Sequence, residues 1–338
     1  MKHGTCWVGV TDVEGFSQRL FELIVDALSV ERGVRELLED CLWFTDKLVS
    51  GTSGFEREGY VAVRRALMHW IKSFSTPFDE RGDLEFLGER KEWERAVEAF
   101  RRAGDQRGAY RALLVMTVRR GERYALAGDL NTACNVMAEA EEIAKKAGLS
   151  AKQLMLLRAK RLRLLALKKE VEGDFLGVGE SYLEIAHIME KLGLNWRADK
   201  VAALRFLSRH AMADGIWGNV ARYQMEISEL MREMGDVQGA MAAEARGLMA
   251  MAIDAEGKGQ WVRAGECHKR AEEVLCKMGS KVNALYARLN AYVCFSKGKG
   301  ERPPWMDEAE ELIRRAKREE DVRVLEREVK RLLREIEG

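Results

Sequence analysis

The chain has 338 residues, of which 47% are hydrophobic and 33% are charged, and its formal net charge is +1. The hydrophobic fraction is sufficient for a buried core, and the three prolines are too few for most loop-rich folds, so the composition favours an all-α protein. The six cysteines contain no CxxC motif and predict reduced thiols, and the near-zero charge gives no general sign of a nucleic-acid or membrane partner.

The N-terminal part of the chain predicts a helical cap. Residues 1–12 lack the apolar core of a signal peptide, and no apolar run in the chain approaches the length of a membrane span, so we expect a cytoplasmic protein. A capping box begins at Thr11 and ends at Glu14, and Ser29 is a candidate N-cap for the helix that follows. Three helices are predicted here, at about 11–28, 29–49 and 55–74.

A repeat follows, marked by pairs of glycines that are twenty residues apart. After the first glycine of each pair, apolar residues recur at the spacing of one helix face. Without a leading glycine, the same pattern begins at Trp93 and again at Met306, which gives six copies with periods of about 42 to 45 residues where both glycines are present. The glycine pairs are Gly128/Gly148, Gly173/Gly193, Gly215/Gly235 and Gly259/Gly279.

Each copy predicts a helical hairpin. The closing glycine suits a helix end, because only glycine adopts the left-handed backbone conformation without strain. A residue that favours the start of a helix follows each closing glycine within two positions. The five predicted N-caps are Asp105, Ser150, Asn195, Asp236 and Ser280. The large residue that opens the second helix is Trp in three copies and Leu or Phe in others, which favours packing over ligand stacking for Trp93, Trp217 and Trp261.

The stretch Gly121-x-x-Tyr124-x-x-x-Gly128-Asp129-Leu130-x-x-Ala133 resembles the tetratricopeptide repeat (TPR) consensus. The periods exceed the usual 34 residues of that family, and the longer helices they imply are similar in architecture to those of soluble NSF-attachment proteins. The resemblance implies an all-α, right-handed α-α superhelix, a TPR-like solenoid of about six helix pairs. It places the repeats at 91–318, an N-terminal cap, with room for the first helix of the first pair, at 1–90, and a C-terminal capping helix at 319–338.

The resemblance also implies a binding groove, since the first helix of each TPR pair lines the concave surface. The family's groove positions in the second pair fall on Val115, Val118 and Glu122. In the later pairs the positions are basic and apolar together, a combination that suits an acidic, amphipathic peptide or helix. None of them is the asparagine that the family's clamp for chaperone tails uses. The eight predicted peptide-binding residues are Lys160, Arg163, Arg205, Arg209, Arg246, Met249, Arg288 and Tyr292.

Three alternatives stay open. Residues 101–170 carry sixteen basic and seven acidic residues, which allows a nucleic-acid-binding or regulatory helical protein that uses this region. The basic groove residues would instead be a solvated surface if neighbouring acids pair with them. Self-association through the terminal helices is the third alternative.

No pattern indicates catalysis. The five histidines never stand at metal-ligand spacing from a cysteine, and His268 lies within a second-helix pattern as a packing residue. There is no nucleophile elbow and no phosphate loop after a predicted strand. The sequence therefore predicts a non-catalytic protein-protein interaction scaffold with no catalytic residues, no cofactor and no metal.

Overall fold

A computed structural model describes residues 13–29, 33–73, 80–318 and 321–338. In these ranges the chain is all-helical and contains no strand, which confirms the predicted fold class. The capping box that begins at Thr11 starts outside the described residues. The helices are α1 (Val13–Ser29), α2 (Val34–Gly51), α3 (Gly54–Ser73), α4 (Glu80–Arg102), α5 (Gln106–Leu126), α6 (Leu130–Lys146), α7 (Ala151–Val171), α8 (Phe175–Lys191), α9 (Arg197–Ala213), α10 (Trp217–Glu233), α11 (Val237–Gly257), α12 (Trp261–Lys277), α13 (Lys281–Gly298), α14 (Met306–Ala316) and α15 (Val322–Glu337).

The helices follow one another as the predicted series of pairs. The six copies of the repeat correspond, in chain order, to α3/α4, α5/α6, α7/α8, α9/α10, α11/α12 and α13/α14, with α1 and α2 before them and α15 after them. The prediction for Ser29 is wrong: α1 includes this residue, and α2 begins later, after Gly33. Within the described ranges, no helix combines the length and the apolar character that a membrane crossing needs.

The glycines at the turns adopt the predicted left-handed conformation. At the end of α10, Gly235 has a φ of 82°, its N–H bonds the carbonyl of Arg232 at 3.0 Å, and the next N–H bonds the carbonyl of Met231 at 2.9 Å. These two bonds satisfy carbonyls that the helix end leaves without partners. The other eight glycines that the repeat pattern predicts at turns also have positive φ, and they are Gly104, Gly128, Gly148, Gly173, Gly193, Gly215, Gly259 and Gly279.

The helix starts agree with the sequence in most places. Asp105 and Asp236 each accept a hydrogen bond at 2.8 Å from the backbone N–H three residues later, and the Ser150 hydroxyl accepts one at 3.3 Å. Ser280 is an N-cap residue without a side-chain bond to the backbone. Asn195 was predicted one position too early, because the helix begins after Trp196. Most turns are therefore specified by a glycine stop and a polar start.

The chain divides into two compact units, Met1–Lys168 and Lys169–Gly338. The first unit contains a large buried cluster that draws side chains from α1 to α7. The second unit contains several smaller clusters, each built from neighbouring helices such as α9, α10 and α11. Separate nearest-neighbour clusters are typical of repeat proteins, in which each unit buries its apolar face on the next.

Glycines inside the helices allow close approach in the second unit. A Cβ placed on Gly265 of α12 would lie 2.7 Å from the ring of Phe295 in α13, so a side chain there would push the helices apart. The aromatic repeat position packs as predicted: Trp93 is buried, and Trp217 and Trp261 lie against buried clusters. The small residue Gly265 and the large residue Phe295 together fix the distance between α12 and α13.

We expect Gly235→Ala to lower the free energy of unfolding of the second unit by about 1–2 kcal/mol, because an L-residue is strained at positive φ. No atom lies within 4 Å of the added methyl group, so the cost is conformational rather than steric. The matched control is Gly257→Ala at the end of α11, where φ is ordinary and the space is also open. That change should stabilise by about 0.4–1 kcal/mol. Urea unfolding measures both, and equal effects of the two changes would contradict the turn assignment.

Candidate functional site

All eight predicted site residues lie on the first helix of a pair, but the two units divide them. Lys160 and Arg163 belong to α7 in the first unit. The other six lie on α9, α11 and α13 in the second unit. Each group is therefore described within its own unit.

In the first unit, Lys160 is engaged by the protein itself. Lys160 forms an ion pair with Glu122 of α5, which also accepts a hydrogen bond from Arg119 at 2.6 Å. Arg119 reaches the buried carboxylate of Glu89 in α4 through Nε at 2.9 Å, and its guanidinium lies 4.5 Å from the centre of the Trp70 ring. We call these four charged side chains the Glu89–Lys160 network. Every cation in it has a carboxylate partner.

The charges of the network hold one another in the ionised state. Burial acts to raise the pKa of Glu122, but the nearby charges of Lys160 and Arg119 outweigh it and leave that pKa below its ordinary value. Burial acts to lower the pKa of Arg119, but Glu89 and Glu122 raise it well above its ordinary value. Because all four groups are at least partly withdrawn from water, loss of one charge would leave its partner poorly solvated.

Two further positions of the predicted groove in the first unit are buried. The expectation that Val115 and Val118 line a groove is wrong, since both are fully buried in the cluster that includes side chains of α1. The α1 helix packs against α5, where the Arg111 guanidinium lies 5.5 Å from the centre of the Phe21 ring. Arg163 is half-buried and has an interaction within the chain. The N-terminal helices therefore occupy space that the repeat pattern alone leaves open.

In the second unit, α9 presents arginines to solvent. Arg209 is exposed, and its guanidinium lies 4.2 Å from the centre of the Phe175 ring, which holds it at the surface. Arg205 is exposed one turn earlier and has no ionic or aromatic partner in the described part of the chain. On another face of the same helix, Arg197 and Lys200 are both paired with glutamates of α10. The cations with glutamate partners and the cation without an ionic or aromatic partner, Arg205, therefore lie on different faces of α9.

The α11 helix carries residues at the same repeat positions as α9. Arg205 precedes Gly215 by ten residues, and Met249 precedes Gly259 by ten residues, so they occupy equivalent turns of successive pairs. Met249 is 37% exposed, and Arg246 is exposed without an ionic or aromatic partner among the described residues. We call the combined surface the arginine stripe, and its members are Ala202, Arg205, Arg209, Arg246, Met249 and Ile253.

Arg288 and Tyr292 lie on a different face. Counted back from Gly259 and Gly300, the residues of α13 that are equivalent to Arg246 and Met249 are Ala287 and Asn290, so neither Arg288 nor Tyr292 is at an equivalent position. Arg288 forms an ion pair with Glu337 of α15, and the Tyr292 hydroxyl donates a hydrogen bond to the same carboxylate at 3.2 Å. The C-terminal helix therefore binds both side chains, and the structure does not bring them into the arginine stripe.

A second cluster was not predicted. Glu256 of α11, His268 of α12 and Cys294 of α13 place one donor atom each within 4.8 Å of one another. His268 Nε2 lies 2.9 Å from Glu256 Oε1, and Cys294 Sγ donates to the same oxygen at 3.6 Å. His268 and Cys294 are each 3% exposed, whereas about a third of the Glu256 side chain is exposed. We call these three residues the Glu–His–Cys cluster.

The environment of the cluster shifts two pKa values. Burial raises the pKa of the Cys294 thiol to about 12, and the Glu256 carboxylate adds to this effect. Burial also acts to raise the pKa of Glu256, but the hydrogen bond and charge of His268 outweigh it, and the pKa is lowered. His268 Nδ1 is buried and has no hydrogen-bond partner, so the ring is held from one side only.

One sequence signal could have revealed this cluster. In earlier copies the repeat position of His268 is Phe100 or Met137, which are fully buried. In the copy before it, the residue is Gln224, which is buried and donates to the Ser208 hydroxyl at 2.9 Å. A polar residue at a core position needs a partner. The other two members of the cluster, Glu256 and Cys294, are 12 and 26 residues from His268 along the chain, a spacing that no short motif describes.

Similarity to known proteins does not assign a function. The chain matches no protein-family model and no curated protein. Function must therefore be inferred from the geometry and charge of the side chains themselves.

We expect Glu122→Gln to lower the free energy of unfolding by about 1–3 kcal/mol at neutral pH, because Lys160 loses its carboxylate partner. The depressed pKa of Glu122 fixes the sign of the pH dependence. Its charge stabilises the protein above the ordinary glutamate value of about 4.3, and this contribution is lost as the pH falls through the lower folded-state pKa. The wild type and the variant should therefore converge in acid.

Urea unfolding at several pH values measures this convergence. The control is Glu142→Gln on α6, which removes an exposed ion pair with Lys145. This change should have little effect, since solvent screens an exposed ion pair and leaves it a small contribution to stability. A difference between wild type and Glu122→Gln that stays constant down to strong acid would show that the network charge is not the cause.

Proposed function

We propose that the protein is a non-catalytic, TPR-like interaction scaffold whose arginine stripe binds an acidic, amphipathic segment of another protein. One observation carries the proposal: Arg205 and Arg246 have no partner among the described residues, and exposed Met249 occupies the position of α11 that is equivalent to Arg205, three residues after Arg246. A guanidinium offers two parallel donors that match a carboxylate, and a neighbouring apolar side chain can cover the non-polar side of a peptide. The charge of the arginines calls for an acidic segment, and the exposed methionine calls for one with an apolar side.

The surroundings of the stripe support this role. The Phe175 ring restricts Arg209 before any ligand arrives, so less side-chain freedom is lost on binding. The paired cations Arg197 and Lys200 on another face of α9 provide a contrast, because their glutamates satisfy them within the protein. The resemblance to tetratricopeptide repeats adds support, since that family binds peptides on the first helices of its pairs.

The proposed site is smaller than the sequence alone predicts. Lys160 already has Glu122, and Arg288 already has Glu337, so a ligand would have to displace an existing ion pair at either position. We therefore place the binding energy on α9 and α11 within the second unit.

The nucleic-acid alternative has less support. In the basic region, Arg120 pairs with Glu139 at 2.5 Å, and Arg161 pairs with Glu141 at 3.1 Å. Cations that are already neutralised release few counterions from a phosphate backbone, so they contribute little to affinity for nucleic acid. Filter binding with random single- and double-stranded oligonucleotides tests this alternative. Strong retention that falls steeply with salt would favour it over the scaffold role.

We expect Arg205→Glu/Arg246→Glu to weaken binding of a short helical peptide with leucines on one face and glutamates beside them by at least about tenfold. The reversal replaces two attractive contacts with repulsive ones. Fluorescence anisotropy of the labelled peptide measures the affinity, and added salt should weaken binding to the wild type more than to the variant.

The matched control is Arg263→Glu/Arg270→Glu, which reverses two exposed arginines on α12 and changes the net charge equally. This variant should bind the peptide within about twofold of the wild type. Circular dichroism verifies that both variants keep their helices. Equal loss in the two variants would mean that net charge, rather than the arginine stripe, attracts the peptide, and undiminished binding to the stripe variant would remove the site.

A further inference from the structure

The Glu–His–Cys cluster brings three different metal-binding groups together at the contact of α11, α12 and α13. Its donors are a carboxylate oxygen, an imidazole nitrogen and a thiol sulfur, each from a separate helix. The two buried members are fixed by packing, since the close contact of Gly265 with Phe295 holds α12 near α13 beside them. Neither the repeat architecture nor the proposed peptide site needs these residues.

Simple core packing does not account for the residue types. The position of His268 takes Phe100 and Met137 in other copies, and apolar residues there would avoid the cost of burying an imidazole. The three polar groups instead converge on one point, since His268 Nε2 lies 2.9 Å and Cys294 Sγ 3.6 Å from the same oxygen of Glu256. A buried imidazole and a buried thiol that face one carboxylate are donor types that a transition metal prefers.

We propose that Glu256, His268 and Cys294 form a zinc site with three protein ligands. In a tetrahedral site, zinc lies about 2.0–2.3 Å from nitrogen, oxygen and sulfur donors, which places neighbouring donors about 3.3–3.8 Å apart. The distances of 2.9 Å from His268 to Glu256 and 3.6 Å from Cys294 to Glu256 are close to this range. The donors would have to move by about one ångström or less.

The charge balance also favours a divalent ion. Binding replaces the thiol S–H bond of Cys294 with a metal–sulfur bond and releases one proton, so the ligands become one thiolate, one carboxylate and one neutral imidazole. Their two negative charges equal the charge of the ion. Glu256 stands next to the last residue of α11, where the negative end of the helix dipole adds a further attraction for a cation.

The mixed donor set distinguishes zinc from harder ions. Calcium and magnesium prefer oxygen ligands alone, whereas imidazole and thiolate suit zinc and its neighbours in the transition series. With three protein ligands, the fourth position is left for water, and the exposed part of Glu256 provides a route to solvent. Because Nδ1 has no partner to orient the ring, we expect an affinity about 10–100-fold below that of a fully supported site.

Cobalt(II) provides the direct test, because it takes the same geometry and its bond to a thiolate absorbs in the near ultraviolet. We expect the full chain, after treatment with a chelator, to develop this charge-transfer band together with visible tetrahedral bands when cobalt is added. One equivalent of zinc should abolish both sets of bands. Zinc should also raise the Tm, since it binds the native state preferentially.

The variants locate the site. Cys294→Ser should remove the charge-transfer band, and Glu256→Gln and His268→Gln should each weaken cobalt binding by at least about tenfold. His268→Gln is the conservative choice, because Gln224 fills the equivalent position in the preceding pair. The control Cys276→Ser alters an exposed thiol on α12 and should retain the band. Circular dichroism and the Tm without metal verify folding.

Several outcomes would overturn the site. One is that cobalt produces no bands, and another is that it produces visible bands without the thiolate charge-transfer band. A third is that the charge-transfer band persists in Cys294→Ser. If Cys294→Ser does not fold, unchanged cobalt affinity in His268→Gln overturns the site in the same way. The experiment uses no peptide, so its failure leaves the proposed scaffold role unaffected, and loss of peptide binding leaves the zinc site unaffected.

Discussion

The left-handed glycine at each turn is the constraint on which the other features depend. The glycine ends one helix, and the N-cap of the next helix can follow directly, as Asp236 follows Gly235 between α10 and α11. Short turns fix where each helix starts, and the rise of 1.5 Å per residue then fixes which side chains share a face. The register that aligns Arg205 with Met249 follows directly from the glycines at the ends of their helices. A longer turn would leave that register undetermined.

The charged residues have two different roles in the two units. In the first unit, Arg119 and Lys160 are withdrawn from water and matched with carboxylates, so they contribute to the joining of α4, α5 and α7. In the second unit, Arg205 and Arg246 remain in water without partners in the described residues. A count of basic residues along the sequence does not distinguish the paired cations of the first unit from the exposed cations of the second. The three-dimensional pairing distinguishes a structural cation from one that is available to a ligand.

The sequence predicts local features well, because glycine stops, polar caps and apolar periodicity act over a few residues. It places the turn at Gly235 and the cap at Asp105 correctly for this reason. It fails where distant segments meet. Val115 has the spacing of a groove residue, yet it is buried in a cluster that also contains side chains of α1, whose position the repeat pattern does not specify. Arg288 likewise has the expected charge, and only the fold shows that Glu337 reaches it.

The same limit explains why the Glu–His–Cys cluster was missed. Only His268 stands out in its own helix, as a polar residue at a core position, and the sequence separates Glu256 from Cys294 by 38 residues. Three successive helices are needed to bring the donors together, so the information lies in the stacking of the pairs rather than in any motif. The α11 helix carries Arg246 of the proposed peptide site and Glu256 of the proposed zinc site. One helix therefore contributes to both sites at separate positions along its length. Because adjoining pairs are in contact, a repeat protein can add a site of this kind by changing one residue in each of three helices without altering the fold.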